Sequence, residues 1–322
     1  MKKSITVLAA VAVVIAGIGL FYYLGNVPRN DANQIQNQGA ETPLVQNQDN
    51  DQEEDNAPKE NSSPADEPQT KEPENKNESV IGKSVEKRDI AVYHFGTGEK
   101  EILFVGGIHG GYAWNTTLLA YQIMDYLKAN PSVIPSNIQV TVIPALNPDG
   151  LSKVVSVAGR FSASDVSSSQ EARTAGRFNA RLVDINRNFD CGWKASGTWQ
   201  NTTVSGGAKP FSEPESAAIR DYAQDRKLAA VVAWYNAGGG VFSSSCDNGI
   251  LPETQAITDI YAKASGYPAY KNFESYQVSG DMTDWFAKNN VPAISVLLTT
   301  YEDTEWDKNA AGIKALLEHY AQ

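Results

Sequence analysis

Three histidines, His94, His109 and His319, are the strongest metal-binding side chains in this 322-residue chain, and their placement decides what chemistry is open to it. His109 sits in a glycine-rich run, Gly106-Gly107-Ile108-His109-Gly110-Gly111-Tyr112-Ala113-Trp114, just after a short apolar stretch. A hydrolytic zinc needs about three protein ligands and a water. His94 falls on an early predicted strand, and His319 lies near the end of the last predicted helix, where a cationic side chain complements the helix dipole and is ordinarily solvated. The inventory therefore supplies one ligand where three are required. Gly238-Gly239-Gly240 lacks the following Lys and Ser or Thr of a phosphate loop and reads as a turn or a close backbone approach. Glu302, Asp303 and Glu305 form a charge run, which is usually a solvated face.

These residues must be positioned by an alternation of short apolar runs and helical patterns. Ile90–Phe95, Ile102–Ile108, Ile138–Leu146, Ala229–Tyr235 and Ala293–Thr300 read as strands, and several are apolar on both faces, as strands covered by helices on each side must be. Residues 115–129, 213–225 and 310–320 carry helical spacing. The first is stopped by Asn130-Pro131, and Ser212 precedes the second as a cap, with Pro214 in its first turn. The fold class is α/β, with a twisted, mixed, mostly parallel sheet and helices on both faces. In such sheets ligands gather at the carboxyl ends of strands. His109, Asn147 and Tyr235-Asn236 each follow or end a strand, so their loops are expected to converge.

Three segments are expected. Residues 1–25 hold a charge-free apolar run from Ile5 to about Leu24, long enough at about 20 residues to cross a bilayer; a cleaved signal peptide is the alternative reading. Lys2-Lys3 before it favours a cytoplasmic N-terminus, placing the rest outside the membrane. Residues 26–80 are rich in Asn, Gln, Asp, Glu and Pro, a composition expected to stay disordered. They carry most of the net charge of −11, so the acidity belongs to the tether rather than to a ligand site. Residues 81–322 form the domain. The expected location is the cell membrane, single-pass, with this domain on the extracytoplasmic side, or secreted if the apolar run is cleaved. No basic patch suggests nucleic acid. Cys191 and Cys246, the only cysteines, are expected to form one disulfide outside the cytoplasm, with two buried thiols as the alternative.

Five segments, in order, make a more specific resemblance: Gly-Gly-Ile-His (106–109), Asn-Pro-Asp-Gly (147–150), Asp-Ile-Asn-Arg-Asn-Phe (184–189), Phe-Ser-Glu-Pro-Glu (211–215) and Tyr-Gln-Val-Ser-Gly-Asp-Met-Thr-Asp-Trp (276–285). Over essentially all of residues 85–321 the chain resembles the zinc carboxypeptidases of the M14, carboxypeptidase A-like family. The resemblance implies a twisted mixed sheet flanked by helices. It also implies that Asn186 and Arg187 grip a substrate's terminal carboxylate, a role that suits a planar guanidinium fork. Arg177 resembles the arginine that stabilises the oxyanion, with Arg173 as a fallback. Tyr276 resembles the tyrosine that closes over the bound end, and Thr283 falls where the terminal side chain is read, giving no reason to expect a charged preference. For Arg187 a buried structural pairing with Asp184 or Asp190 is the plain alternative, and for Tyr276 a packed aromatic.

The departures lie at the metal. Ala113 stands at the glutamate ligand's place, after what looks like a one-residue insertion, with Tyr112 at the plain three-residue spacing. Tyr235 replaces the second histidine ligand, and Leu297 replaces the glutamate that serves as general base. Only His109 remains, so the expectation is a catalytically inactive domain that binds peptides with a free C-terminus, cell-wall peptides among them, and needs no cofactor. The alternatives are an active zinc carboxypeptidase with a remodelled site, and a structural module for partner interaction.

Overall fold

A computed structural model describes residues 77–157 and 159–322. The apolar run and residues 26–76 lie outside the described residues. Strand β1 (Glu78–Lys83) already occupies the last residues of the segment read as linker. It is followed by β2 (Asp89–Gly96), β3 (Lys100–Val105), β4 (Ile138–Ile143), β5 (Ser196–Trp199), β6 (Thr202–Ser205), β7 (Leu228–Asn236), β8 (Gly240–Ser243), β9 (Ala269–Tyr270) and β10 (Ala293–Leu298). Eight of these make one sheet in the order β1-β2-β4-β3-β7-β10-β8-β9, and β5 and β6 form a separate hairpin. Four of its seven pairings are parallel, including the central β4-β3-β7-β10 run, and the other three are antiparallel.

The helices are α1 (Trp114–Ala129), α2 (Pro148–Leu151), α3 (Gln170–Ala175), α4 (Pro214–Gln224), α5 (Pro252–Ser265), α6 (Met282–Lys288) and α7 (Trp306–Tyr320). The central strands are apolar over most of their length because alternate residues feed two cores. Ile102, Phe104, Val232, Trp234 and Val296 pack with Leu119 and Ile123 of α1, Tyr261 of α5 and Leu316 of α7. Leu103, Val105, Val231, Ala233, Tyr235 and Leu297 pack with Ile219 of α4 and Met282 and Phe286 of α6. Each such side chain, fully buried, contributes about 1.5–3 kcal/mol. Strand alternation thus fixes the face on which Tyr235 and Leu297 emerge.

Two local readings change. The cap of α4 is Glu213, with Pro214 at the first helical position. Ser212 does not cap it, because its hydroxyl accepts from Asn188 and Ala208 and donates to the Glu213 carboxylate. Helix α7 begins at Trp306 rather than Ala310. Among the described residues no helix is long and apolar enough to cross a membrane.

Candidate functional site

The loops at the carboxyl ends of β3, β7 and β10 meet, with the segments around Asn186 and Tyr276, at a cleft of about 470 Å³. Parallel pairing sets Tyr235 beside Leu297, so their side chains emerge together on the α6 face, and both line the cleft. His109 reaches it from the end of β3. Its glycines allow a close crossing: Gly110 has φ +43°, and a Cβ there would stand 2.7 Å from the Gly176 carbonyl oxygen. The Gly111 amide donates to that same oxygen at 3.0 Å.

Residues Gly110–Ala113 form a 3-10 turn, closed by Tyr112 N–H donating to His109 O at 3.0 Å. A three-residue turn brings position i+3 back over position i. Tyr112 therefore lines the cleft with His109, whereas Ala113 is buried and is no part of the lining.

His109 is 6% exposed. Its Nε2 lies 3.5 Å from Asp184 Oδ1, and among the described residues neither ring nitrogen has a hydrogen-bond partner. Burial, then the charges of Arg177 and Arg187, push its pKa down to about 4 against the pull of Asp184. The imidazole is therefore neutral near pH 7. Asp184 is itself fully buried, and its Oδ2 accepts from Arg177 Nε at 3.0 Å and Nη2 at 2.7 Å. Burial alone would raise its pKa, but Arg177, His109 and Arg187 outweigh burial and hold it well below the usual carboxylate range.

Of the two arginines considered for the oxyanion role, only Arg177 reaches the cleft. Its guanidinium lies 4.5 Å over the Trp199 ring and 5.6 Å over that of Tyr112. Arg173 instead donates to Ser167 O at 3.0 Å and pairs with Glu302 at 2.6 Å.

Arg187 is 2% exposed and lines the cleft. Neither expected structural partner holds it: Asp184 is taken by Arg177, and Asp190 pairs with Lys288 at 3.0 Å. Among the described residues its Nη1 and Nη2 make only long bonds, to the carbonyls of Asn186 (3.3 Å) and Thr198 (3.4 Å), and Nε has no partner. Tyr276 sits with its ring 5.6 Å from the guanidinium carbon and packs edge-on against Phe273. Asn186 Oδ1 accepts from Met282 N at 3.1 Å and Tyr235 OH at 3.3 Å, while Nδ2 donates to Asp281 at 2.6 Å. One hydrogen of that amide stays free for a ligand. Thr283 is in the lining, but its hydroxyl is engaged, donating to Asp281 at 2.7 Å and lying 3.0 Å from Ser295 Oγ.

Asp281 and Asp284 line the cleft too, and sequence reasoning passed over them. Asp281 caps α6 through the amides of Thr283 and Asp284. An aspartate just before a short apolar pattern is a cap signal, and the three-residue spacing to Asp284 was the available sign that both share one side. Burial and then the neighbouring Asp281 push the Asp284 pKa up to about 8, against one amide bond from Ser245.

The remaining candidates are structural. His94 lies 3.1 Å from Thr141 Oγ1, and His319, expected to be solvated, lies 2.8 Å from Glu253. Glu305 is not part of a solvated run either, since it accepts from Tyr267 at 2.7 Å and from Thr299 and pairs with Lys308. Gly238 approaches Leu297 so closely that a Cβ would stand 2.6 Å from Leu297 Cδ2, in line with the close-approach reading. Cys191 and Cys246 form a disulfide, and neither is a free thiol. Among the described residues no group of three or more His, Cys, Asp or Glu side chains is placed to hold a metal ion.

Comparison with known proteins gives a consistent picture. The family model described as zinc carboxypeptidase matches residues 63–314, well over half of the chain. The chain is similar to the gamma-D-glutamyl-L-diamino acid endopeptidase 1 of Lysinibacillus sphaericus, 26% identical over 230 residues, which are 65% of this chain and 57% of that protein. It is also similar to carboxypeptidase Z of Rattus norvegicus, 30% identical over 122 residues, 34% of this chain and 17% of that one. It thus spans little more than half of the first relative and less than a fifth of the second. In fold it is similar to bovine thrombin-activatable fibrinolysis inhibitor, with TM-score 0.59 and 17% identity, covering 76% of this chain and 88% of that one. The murein-tripeptide amidase of Escherichia coli O157 gives TM-score 0.53 at 18% identity, covering 76% and 92%.

Proposed function

This chain belongs to the zinc carboxypeptidase family, and from that premise we propose that its domain binds the free C-terminus of a peptide without hydrolysing it. The observation that carries this reading is Arg187, a guanidinium buried in the cleft that forms no ion pair with a carboxylate among the described residues. A buried charge without a partner is costly. A ligand carboxylate would provide that partner through the planar fork of Arg187, with the free amide hydrogen of Asn186 as a second donor and Tyr276 packed alongside.

The family's zinc does not fit the residues around His109. The ring's neighbours are Tyr235, whose phenol is held well above its ordinary pKa by burial and then by Asp281 and Asp284, and Asp184, which is committed to Arg177. At the general-base position Leu297 has no proton to exchange. What remains is a cleft built to orient a peptide end. Arg177, held by Asp184 and stacked on Trp199, gives it a second positive group.

The proposed ligand is a cell-wall stem peptide, and the proposed location is outside the membrane, held by the apolar run at residues 5–24. The Cys191–Cys246 bridge supports an oxidising compartment. Similarity to an endopeptidase named for gamma-D-glutamyl-L-diamino acid bonds supports the ligand class. Calorimetric titration with short peptides bearing free or amidated C-termini tests the central reading. The free acids are expected to bind and the amides to bind at least tenfold more weakly. Equal affinity for both, or binding of neither, would refute it.

A further inference from the structure

Building on the carboxylate-binding reading above, we propose that Cys191 and Cys246 are positioning residues for a bound peptide end: their disulfide keeps Asn186 and Arg187 where a terminal carboxylate meets them. The guanidinium of Arg187 is placed by its main chain and by little else. Among the described residues it forms no ion pair, its Nε has no partner, and its two long bonds reach the carbonyls of Asn186 and Thr198. Burying such a group is costly, so the unliganded segment is drawn toward water. Whatever fixes the main chain of that segment fixes the grip.

Hydrogen bonds tie the segment to the start of α6. Phe189 N donates to Gly280 O at 3.0 Å, and Gly280 N donates to Cys191 O at 2.8 Å. The two stretches touch closely, since Gly280 has φ +65° and a Cβ there would stand 2.3 Å from Arg187 O. Asn186 joins the same contact, donating to Asp281 and accepting from Met282 N. On its other side the segment is anchored by Asn188, which donates to Gly206 O at 2.6 Å and accepts from Glu213 N at 3.0 Å. Each of these bonds can be exchanged for one to water when the segment shifts. A covalent bond cannot.

The disulfide links the same segment to a third strip of the cleft wall. Cys246 directly follows Ser244-Ser245. The Ser244 amide and hydroxyl donate to Ala293 O at 3.2 and 2.7 Å, and Ser245 N donates to Asp284 Oδ1 at 2.9 Å. Ser245 and Asp284 line the cleft together with Asn186, Arg187 and Asp281. The Cys191–Cys246 bond therefore closes a ring that runs from Arg187 through Gly280 and Asp281 to Asp284, Ser245 and back. A bridge kept for stability alone needs only a long loop, which many other pairs of positions would give. Placed here, it also holds the gripping segment in its bound geometry before a ligand arrives, so the cost of ordering Asn186 and Arg187 does not fall on binding.

Opening the bridge is a two-electron reduction: dithiothreitol gives two electrons and two protons to the S–S bond, leaving two thiols, and itself closes to a cyclic disulfide. The test titrates one short peptide, as free acid and as amide, into the protein with its bridge closed, reduced, and re-closed through one carbon by diiodomethane, which joins the two sulfurs and releases two iodides and two protons. The closed protein is expected to prefer the acid. The reduced protein, still folded by near-UV circular dichroism, should lose about tenfold in affinity for the acid, the order set by two side chains left to be immobilised, and with it most of that preference. The one-carbon bridge should restore both. A bridge that serves only the fold would lower Tm on reduction and leave the acid-over-amide ratio unchanged; that result, or a lost ratio that the one-carbon bridge fails to restore, would overturn the proposal and leave the carboxylate reading standing. Absence of the preference in the closed protein would overturn both. Should the reduced protein unfold, protein re-closed through one carbon is compared with protein re-closed through the three carbons of 1,3-dichloroacetone, since both keep the loop shut. The longer bridge should then show the lower acid-over-amide ratio, and equal ratios would overturn the proposal.

Discussion

Replacing Arg187 by methionine should raise stability and abolish ligand binding, two effects of opposite sign that a structural arginine could not give together. Methionine keeps most of the unbranched stem and removes the charge. The bonds lost are two long contacts to the carbonyls of Asn186 and Thr198, at 3.3 and 3.4 Å, and a ring contact to Tyr276 at 5.6 Å. Each hydrogen bond contributes about 0.5–1.5 kcal/mol at ordinary geometry and less at these lengths. Against them, and against the loss of attraction to the buried Asp184 carboxylate, stands the cost of burying an arginine that forms no ion pair and has an unpartnered Nε among the described residues, several kcal/mol per ion even after relaxation. The balance favours Arg187→Met by about 1 kcal/mol or more, which in a domain of this size moves Tm up by about 2–4 °C per kcal/mol. Binding loses a bidentate, charge-assisted contact, and at about 1.5–3 kcal/mol per bond that is at least a hundredfold in affinity. Calorimetric unfolding of the free protein and titration with a free-acid peptide read the two quantities separately. A variant that is destabilised yet binds with unchanged affinity would refute the reasoning, because Arg187 would then serve the fold and not the ligand.

Three further outcomes follow from the same geometry. With a folded pKa of about 4 for His109, the unfolded chain takes up a proton near pH 6.5 that the folded chain refuses. Stability should therefore fall as pH drops from about 6.5 to about 4, by about 3 kcal/mol, and urea unfolding of His109→Gln across that window should lack this loss; identical slopes would contradict it. Asp284 works in the other direction, since its folded pKa is raised to about 8. Its contribution to stability is full below about pH 4 and lost progressively as pH rises to about 8, so unliganded Asp284→Asn should gain on wild type over that range, and a constant difference from pH 4 to 8 would count against the burial of this carboxyl. Replacing both Cys191 and Cys246 by alanine opens a crosslink spanning 55 residues, and chain entropy sets the loss at about 4 kcal/mol, measurable as a lower denaturant midpoint; an unchanged midpoint would mean that the bridge does not constrain the unfolded chain.

The fold was legible where continuous apolar runs stand between helical patterns. The central strands show because every residue of Leu103-Phe104-Val105 or Val231-Val232-Ala233 is apolar, and two-sided burial is the physical reason. Helix α5 was hidden because its buried face includes the polar residues Thr254, Thr258 and Ser265; the hydroxyls of Thr258 and Ser265 bond within the helix, and that of Thr258 also meets Ser243. Strand β9 has only two residues, both exposed, and carries no pattern at all.

At the site, the motifs located Asn186, Arg187, Arg177 and Tyr276, and the structure brings all four into one cleft. The choice between Arg177 and Arg173 needed tertiary structure, because both follow the same loop and only the Glu302 pairing removes Arg173. Tyr112 faces the cleft and Ala113 does not, because a 3-10 turn counts three residues and not four. Asp281 and Asp284 escaped notice because their sequence pattern is that of a helix start, and only burial makes them a charge problem.

The most direct test of a cleft that holds peptide ends without cutting them is mass spectrometry of a free-acid peptide incubated with purified protein and excess zinc, then recovered from the protein. The account predicts the intact peptide, retained by wild type and not by Arg187→Met. Release of the terminal residue by wild-type protein, stopped by a chelator and absent in His109→Gln, would contradict it.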